Sequence, residues 1–215
     1  MFVVLALLVG IVINNAVFSP AALVQQYLSA LARGDAASAL SMPGIGDKIP
    51  DGADRTLLRG SALGEISDIS VTSVEGDNDE TIVTARYTLG ETLASGEFVL
   101  TRTGNNFGVF EGWAFAELPV AEATVTVLHD AAFDVGNSGA IDLRSTPSGQ
   151  EATVWGGTGT FLVFAPGNYV FSRTAKFLTS EPVELNVTTP GETVEVTVDV
   201  QANDAFNAEV QEQVD

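Results

Sequence analysis

The alternation of apolar and polar positions divides this chain into three regimes. Residues 1–13, Met1 to Ile13, are all apolar or glycine, and Asn14 and Asn15 interrupt the run before Ala16-Val17-Phe18. A membrane-crossing helix takes about 20 apolar residues, so residues 1–18 predict a short transmembrane anchor. A secretory signal would start on a basic residue, and this start has no Lys or Arg. A buried helix of the first domain is the other reading of the run.

From Ser19 the period is helical. Ser19 is placed as an N-cap with Pro20 at the first helical position, and Leu23, Val24, Tyr27, Leu28 and Leu31 fall on one stripe that Gly34 ends. Asp35 caps a second short helix through Leu40, and Pro43 to Gly52 reads as loop, with a further helical turn around Thr56 to Leu63.

After Gly64 the period becomes two. Ile66 to Val74, Thr81 to Thr88, a run ending Phe98–Thr101, and Phe107 to Phe115 predict a four-stranded meander, with turns at Glu75–Asp79 and Gly104-Asn105-Asn106. From Val120 only strands follow: 123–128, 140–143, 152–155, 160–164, 169–173, 183–187 and 193–200, punctuated by Pro147-Ser148-Gly149, Pro166-Gly167-Asn168 and Pro190-Gly191. Short strands at that spacing argue for a β-sandwich. Asn203 onward starts a last amphipathic helix, with Phe206, Val210 and Val214 four apart, and the pattern reads as a piece of a longer protein.

The expected fold class is therefore α+β: an N-terminal transmembrane helix (1–18), a cone-shaped domain of helices and curved antiparallel sheet (19–118), an all-β sandwich (119–202) and the start of a helix (203–215). Each of the two domains is expected to unfold by itself.

Residues 19–117 resemble the nuclear transport factor 2-like superfamily in two places. These are the opening helix ending Tyr27 to Asp35, and the closing hairpin Phe98-Val99-Leu100…Gly104-Asn105-Asn106-Phe107…Trp113. The order of anchor, such a domain and then a β-domain with a Pro166-Gly167-Asn168-Tyr169 turn resembles TcaA-like cell-envelope proteins of Gram-positive bacteria. The cytoplasmic zinc ribbon that precedes the anchor in those proteins has no counterpart here. The resemblance implies a cone fold and an extracytoplasmic, membrane-anchored setting, and it maps no catalytic motif onto this chain.

Charge narrows the partners. Asp and Glu number 28 against 9 Lys and Arg, a formal net charge of −19. Such a chain repels phosphate backbones and anionic lipid, so nucleic acid is excluded as a partner, while cationic groups are drawn in over a Debye length. With no cysteine, disulfides, thiolate nucleophiles and Cys-ligated zinc are ruled out.

Little catalytic chemistry survives. The one histidine, His129 beside Asp130, has no Gly-x-Ser-x-Gly elbow to serve and reads as a strand-end turn residue. Two acidic loops have the hard oxygens that calcium takes, Glu75-Gly76-Asp77-Asn78-Asp79-Glu80 and Asp134 to Asp142, but neither has EF-hand spacing and both read as solvated turns. Tyr27, Tyr87, Asp35 and Glu111 are the polar residues that a cone interior would gather, with Tyr27 better explained as core. Gly156-Gly157-Thr158-Gly159 reads as a β-turn, since no Lys and no helix follow. Asn186-Val187-Thr188 fits a glycosylation sequon inside a strand, and Trp155 reads as core, with stacking on a sugar or partner as the alternative.

No catalytic, cofactor or metal residue is assigned. The expected function is a membrane-anchored, extracytoplasmic, non-catalytic protein that binds an envelope protein or polymer. An enzyme or ligand carrier using the cone interior, and a spacer for a further C-terminal domain, are the rivals.

Overall fold

Ser19 begins the first helix as its sequence predicts. Its Oγ accepts from the Ala22 amide at 3.1 Å, Pro20 takes the first turn, and helix α1 (Pro20–Ala32) buries Val24, Tyr27, Leu28, Ala30 and Leu31. Asp35 then caps the short α2 (Ala36–Leu40) through the Ser38 amide at 3.0 Å. The computed structural model describes residues 19–77, 79–106, 110–149 and 151–214. The anchor expected over residues 1–18 lies outside them, and no helix among the described residues is long and apolar enough to cross a membrane.

Beneath α1 lies an antiparallel meander in the order β1 (Ile66–Gly76), β2 (Glu80–Leu89), β3 (Thr92–Asn106), β4 (Phe110–Phe115). Strand β2 shows the alternation most cleanly, with Thr81, Val83, Ala85, Tyr87 and Leu89 buried. Gly104-Asn105-Asn106 is not the turn expected of it. Gly104, at φ +106, sits at a register shift, and β3 runs on until Asn106 pairs with Phe110. A glycine inside a strand marks a bulge as readily as a turn.

The rest of the described chain is β apart from one terminal helix. Strands β5 (Val120–Leu128), β6 (Ala132–Val135), β7 (Ala140–Asp142), β8 (Gly156–Phe164), β9 (Gly167–Ser172), β10 (Leu178–Thr179), β11 (Val183–Val187), β12 (Thr193–Asp199) and β13 (Gln201–Ala202) precede α3 (Asp204–Val214). They form two sandwich-like sheets, β11-β9-β6-β7 and β12-β5-β8, with a small β10-β13 ribbon. Strand β12 pairs in parallel with β5, from Thr193 opposite Glu122 to Asp199 opposite Leu128. Phe133 of β6 meets Phe161 of β8 edge-on at 5.8 Å, which ties the two layers together.

Two expectations in this half are corrected. Residues 152–155 form a tight turn rather than a strand, and Gly156-Gly157-Thr158-Gly159, expected as a turn, is the start of β8. Glycines 157 and 159 face inward between outward threonines, so the strand keeps its pleat without bulk on the inner side.

The fold class is corrected as well. The chain is mostly β-sheet, 47% strand against 20% helix, and the described residues hold three α-helices, none of them long and apolar enough to cross a membrane, so the expected cone of helices and sheet behind a transmembrane helix is not what they form. The physical reason is that alternating strands dominate the described chain from Ile66 to Asp199, and among the described helices only α1 buries a stripe of large apolar side chains.

One hydrophobic cluster runs through both halves, from Val24 and Tyr27 to Val198 and Val200. Tyr27, fully buried, packs on Phe98 (6.1 Å) and Phe115 (5.2 Å), and its hydroxyl donates to the carbonyls of Pro119 at 2.8 Å and Ala165 at 3.2 Å. Asp54, 5% exposed, accepts from the Thr56 amide at 2.9 Å and from the amide and hydroxyl of Ser148 at 3.1 and 2.9 Å, while its own carbonyl accepts from Leu162 N–H at 2.8 Å. The Gly64 amide donates to Asn168 O at 2.7 Å. A seam of buried, directional bonds of this kind couples the halves thermodynamically.

The shared core therefore predicts a single unfolding transition for residues 19–214, in place of the two expected from sequence. Tyr27→Phe removes the donor and should cost about 1–2 kcal/mol, a drop of roughly 2–8 °C in Tm for a chain of this size. Calorimetry reads both. Two resolved transitions, or an unchanged Tm in the variant, would overturn the coupling.

Candidate binding cleft between the two halves

The polar residues that sequence singled out for an interior pocket do not converge. Tyr27 is consumed by the Pro119 and Ala165 carbonyls, and Tyr87 donates to Thr188 O at 3.3 Å. Asp35 is spent as a helix cap, and that hydrogen bonding with Ser38 holds its carboxyl below the ordinary value. The Glu111 side chain lies outside the described residues. Burial pushes the Tyr27 phenol well above its ordinary range; burial and then the Glu192 charge push Tyr87 up to about 12; burial also raises Tyr169. These are phenols held neutral by packing rather than poised acids.

His129 sits at the end of β5 with its Nδ1 3.0 Å from Asp199 Oδ1, and both side chains are more than half exposed. Its neighbour Asp130 faces elsewhere, accepting from Arg173 Nε at 2.6 Å. The first acidic loop closes on itself: Asp77 Oδ1 accepts from the amides of Asp79 (2.9 Å) and Glu80 (3.1 Å), which hold its carboxyl below the ordinary value. In the second, Asp134 accepts from the Thr174 amide at 2.9 Å and lies 3.6 Å from Arg173, while Asp142 is paired with Arg144 Nε at 2.9 Å. Among the described residues, no group of three or more His, Asp or Glu is gathered to hold a metal ion. Asn186 is tied into the seam, its Oδ1 accepting from Asn168 Nδ2 at 2.8 Å. Trp155 is 79% exposed, against the expectation of core burial.

The concave surface lies where the halves meet. A recess of about 420 Å³ has an apolar floor of Leu118, Val120, Leu162 and Pro190, with Glu117 and Glu122 at its margin. It shares Glu117 and Pro190 with a second recess of about 490 Å³, lined by Thr84, Ser95, Glu97 and Thr188. The three glutamates are exposed, and none forms an ion pair or side-chain hydrogen bond among the described residues. An apolar trough flanked by unpaired carboxylates favours a ligand that is both cationic and partly apolar. Sequence reasoning missed this cleft because Glu97, Glu117 and Glu122 lie on different strands and connections, brought together only by the packing of the halves.

Comparison of the chain with protein-family models, with curated proteins and with solved structures found no match in any of the three. Nothing in those comparisons identifies the cone-fold or envelope-protein relationship that the motifs suggest.

Two predictions follow from these environments. The chain has three tyrosines, and all three phenols are raised in the fold. Their contribution to stability is complete below the unfolded value of about 10 and is lost as pH rises through the folded values, about 12 for Tyr87. Phenolate absorbance should thus stay absent from folded protein at a pH where urea-unfolded protein is half ionised; equal ionisation in both would contradict the burial. Calcium and magnesium at equal concentration should raise Tm equally, because the loop carboxylates already have internal partners and the ions act by screening. A calcium preference that Asp134→Asn with Asp142→Asn abolished would reveal a site instead.

Proposed function

We propose that this protein is a non-catalytic binding protein that works outside the cytoplasm, held at the membrane by the apolar segment at residues 1–18, and that its junction cleft takes a cationic, partly apolar segment of another envelope component. The observation that carries the reading is the cleft itself: two adjoining recesses, an apolar floor, and Glu97, Glu117 and Glu122 with no ion pair among the described residues. The buried polar groups named above support the non-catalytic part, since each is engaged in holding the fold. A net charge of −19 adds a long-range pull on any basic partner.

The electrostatic part of such binding falls with ionic strength, and the apolar floor supplies the remainder. Isothermal titration of residues 19–214 with a lysine- and leucine-containing model peptide should give saturable binding that weakens on raising salt. Glu97→Gln with Glu117→Gln should weaken it by about tenfold, near 1.4 kcal/mol. Glu209→Gln with Glu212→Gln, an equal charge change on α3, should leave it within about twofold. Equal losses in both pairs would mean that only the overall charge attracts the peptide, and the cleft reading would fail.

A further inference from the structure

The outer face of the β12-β5-β8 sheet has a composition that core packing does not explain. Thr124 and Thr126 of β5 stand opposite Thr160 and Thr158 of β8, and their hydroxyls pair across the strands at 3.2 and 3.1 Å. On the other flank, Glu195 and Thr197 of β12 stand opposite Thr124 and Thr126. The result is two successive rows, Thr160-Thr124-Glu195 and Thr158-Thr126-Thr197, on one solvent-facing surface. Each paired couple of hydroxyls uses one proton between them and keeps the other, with free lone pairs, for a ligand.

This face ends on Trp155. The turn that carries the indole is held in place: the Trp155 amide donates to Thr153 Oγ1 at 3.2 Å and its carbonyl accepts from the His129 amide at 2.9 Å. Gly156, at φ +142, brings the turn so close to β5 that a Cβ there would come within 2.5 Å of Val127 O. A large aromatic ring 79% exposed on a pinned turn presents a preorganised flat apolar face for a partner to cover. His129 strengthens the point. It is one of two described non-glycine residues at positive φ (+65), a conformation that costs roughly 1–2 kcal/mol for a side chain. A glycine would relieve that strain, so keeping a histidine there is consistent with use of its imidazole, which Asp199 orients at 3.0 Å while the His129 amide ties its backbone to the Trp155 carbonyl.

At the opposite end, the face runs into a recess of about 160 Å³ lined by Glu122, Thr160, Asp54 and Ser148. From Glu122 to Leu128 the track is about 20 Å long at ~3.4 Å per residue. Strands β5, β8 and β12 contain no Lys or Arg, so a polyanion is repelled along the whole track. Its apolar content is confined to the Trp155 end, with Val154 and Leu128 beside it, too little for the apolar centre of a protein interface.

We propose that this face binds a neutral polysaccharide chain, with Trp155 stacking on the C–H face of one sugar ring and the threonine rows, Glu195, Asp199 and His129 hydrogen-bonding the hydroxyls of the rings that follow. A sugar has both the apolar ring face that an indole covers and the dense hydroxyls that carboxylates and threonines satisfy. The inference goes beyond the cleft reading, and the two surfaces meet at Glu122 and Leu162.

The test is calorimetric titration of the full chain with cellohexaose and with hexa-N-acetylchitohexaose, hyaluronan serving as the polyanionic control. At least one neutral hexasaccharide should bind with a millimolar or tighter Kd and shift Trp emission to the blue, since Trp155 is the exposed indole. Trp155→Ala should weaken binding by more than about tenfold with an unchanged circular-dichroism spectrum and Tm, Trp155→Tyr should restore most of it, and Thr126→Val with Thr158→Val should weaken it about fivefold. Glu97→Gln with Glu117→Gln should bind the sugar as wild type does, which separates this result from any failure of the cleft. Absence of binding to both hexasaccharides, equal binding by Trp155→Ala, or equal affinity for hyaluronan would overturn the proposal. So would a concentration-dependent dimer that Trp155→Ala abolishes, which would assign the face to a second copy of this chain.

Discussion

The Tyr27 phenol is one of the buried polar groups that join the two halves of this protein. Tyr27 lies on the inner face of a helix that belongs to the first sheet, and its hydroxyl ends on carbonyls at the start of β5 and at the turn after β8. A fully buried hydroxyl needs a partner, and leaving it unmet costs about 1–3 kcal/mol; the Pro119 carbonyl that receives it also accepts from the Ala165 amide at 3.0 Å. Each half therefore completes the other's hydrogen bonding. Asp54 does the same from the opposite direction, its carboxylate closing on Ser148 while its backbone carbonyl takes the Leu162 amide. The helix, the meander and the sandwich share one core because these polar bridges leave no apolar gap between them.

That mode of joining shapes the surface. Closure at Tyr27 and Asp54 leaves a trough alongside, with Pro190 and Leu118 as its floor and glutamates from three separate segments at its edge. The sheet that supplies Glu122 to this trough also turns an outer face of threonines to solvent and ends at Trp155. Among the described residues, neither the linings of the two recesses nor strands β5, β8 and β12 include Lys or Arg, in keeping with a chain whose acidic residues outnumber its basic ones by three to one. Solubility accounts for scattered exposed acids; it does not account for an exposed indole on a braced turn or for hydroxyls in register.

How far the sequence was legible varies with the range of the interaction. Ser19, Pro20 and Asp35 cap the helices where they were expected to, because capping is decided within three or four residues. Most strands of the second half were legible as short alternating runs between Pro-Gly turns. Several errors fell on glycine, and one fell on β6 (Ala132–Val135), which the pattern did not show as a strand. Gly104 is a bulge inside β3, and the glycines at 157 and 159 are inward positions of β8, since a glycine permits a turn without requiring one. Trp155 was misplaced for the complementary reason. Its turn is set by contact with β5, 27 residues earlier, and nothing in the local pattern around Ala152 shows that contact.

By itself the sequence determined the charge, the absence of thiol chemistry, the helix caps, and the alternation that makes most of the chain β. These depend on composition or on neighbours a few residues apart, where propensity and pattern act directly. Tertiary structure alone decided that the two halves share a core, that β12 runs parallel to β5, that the carboxylates at 97, 117 and 122 border one cleft, and that Trp155 faces water beside a threonine ladder. Each of those depends on segments tens of residues apart, and the order in which strands pair is settled by which apolar faces and unmet hydrogen bonds close on one another.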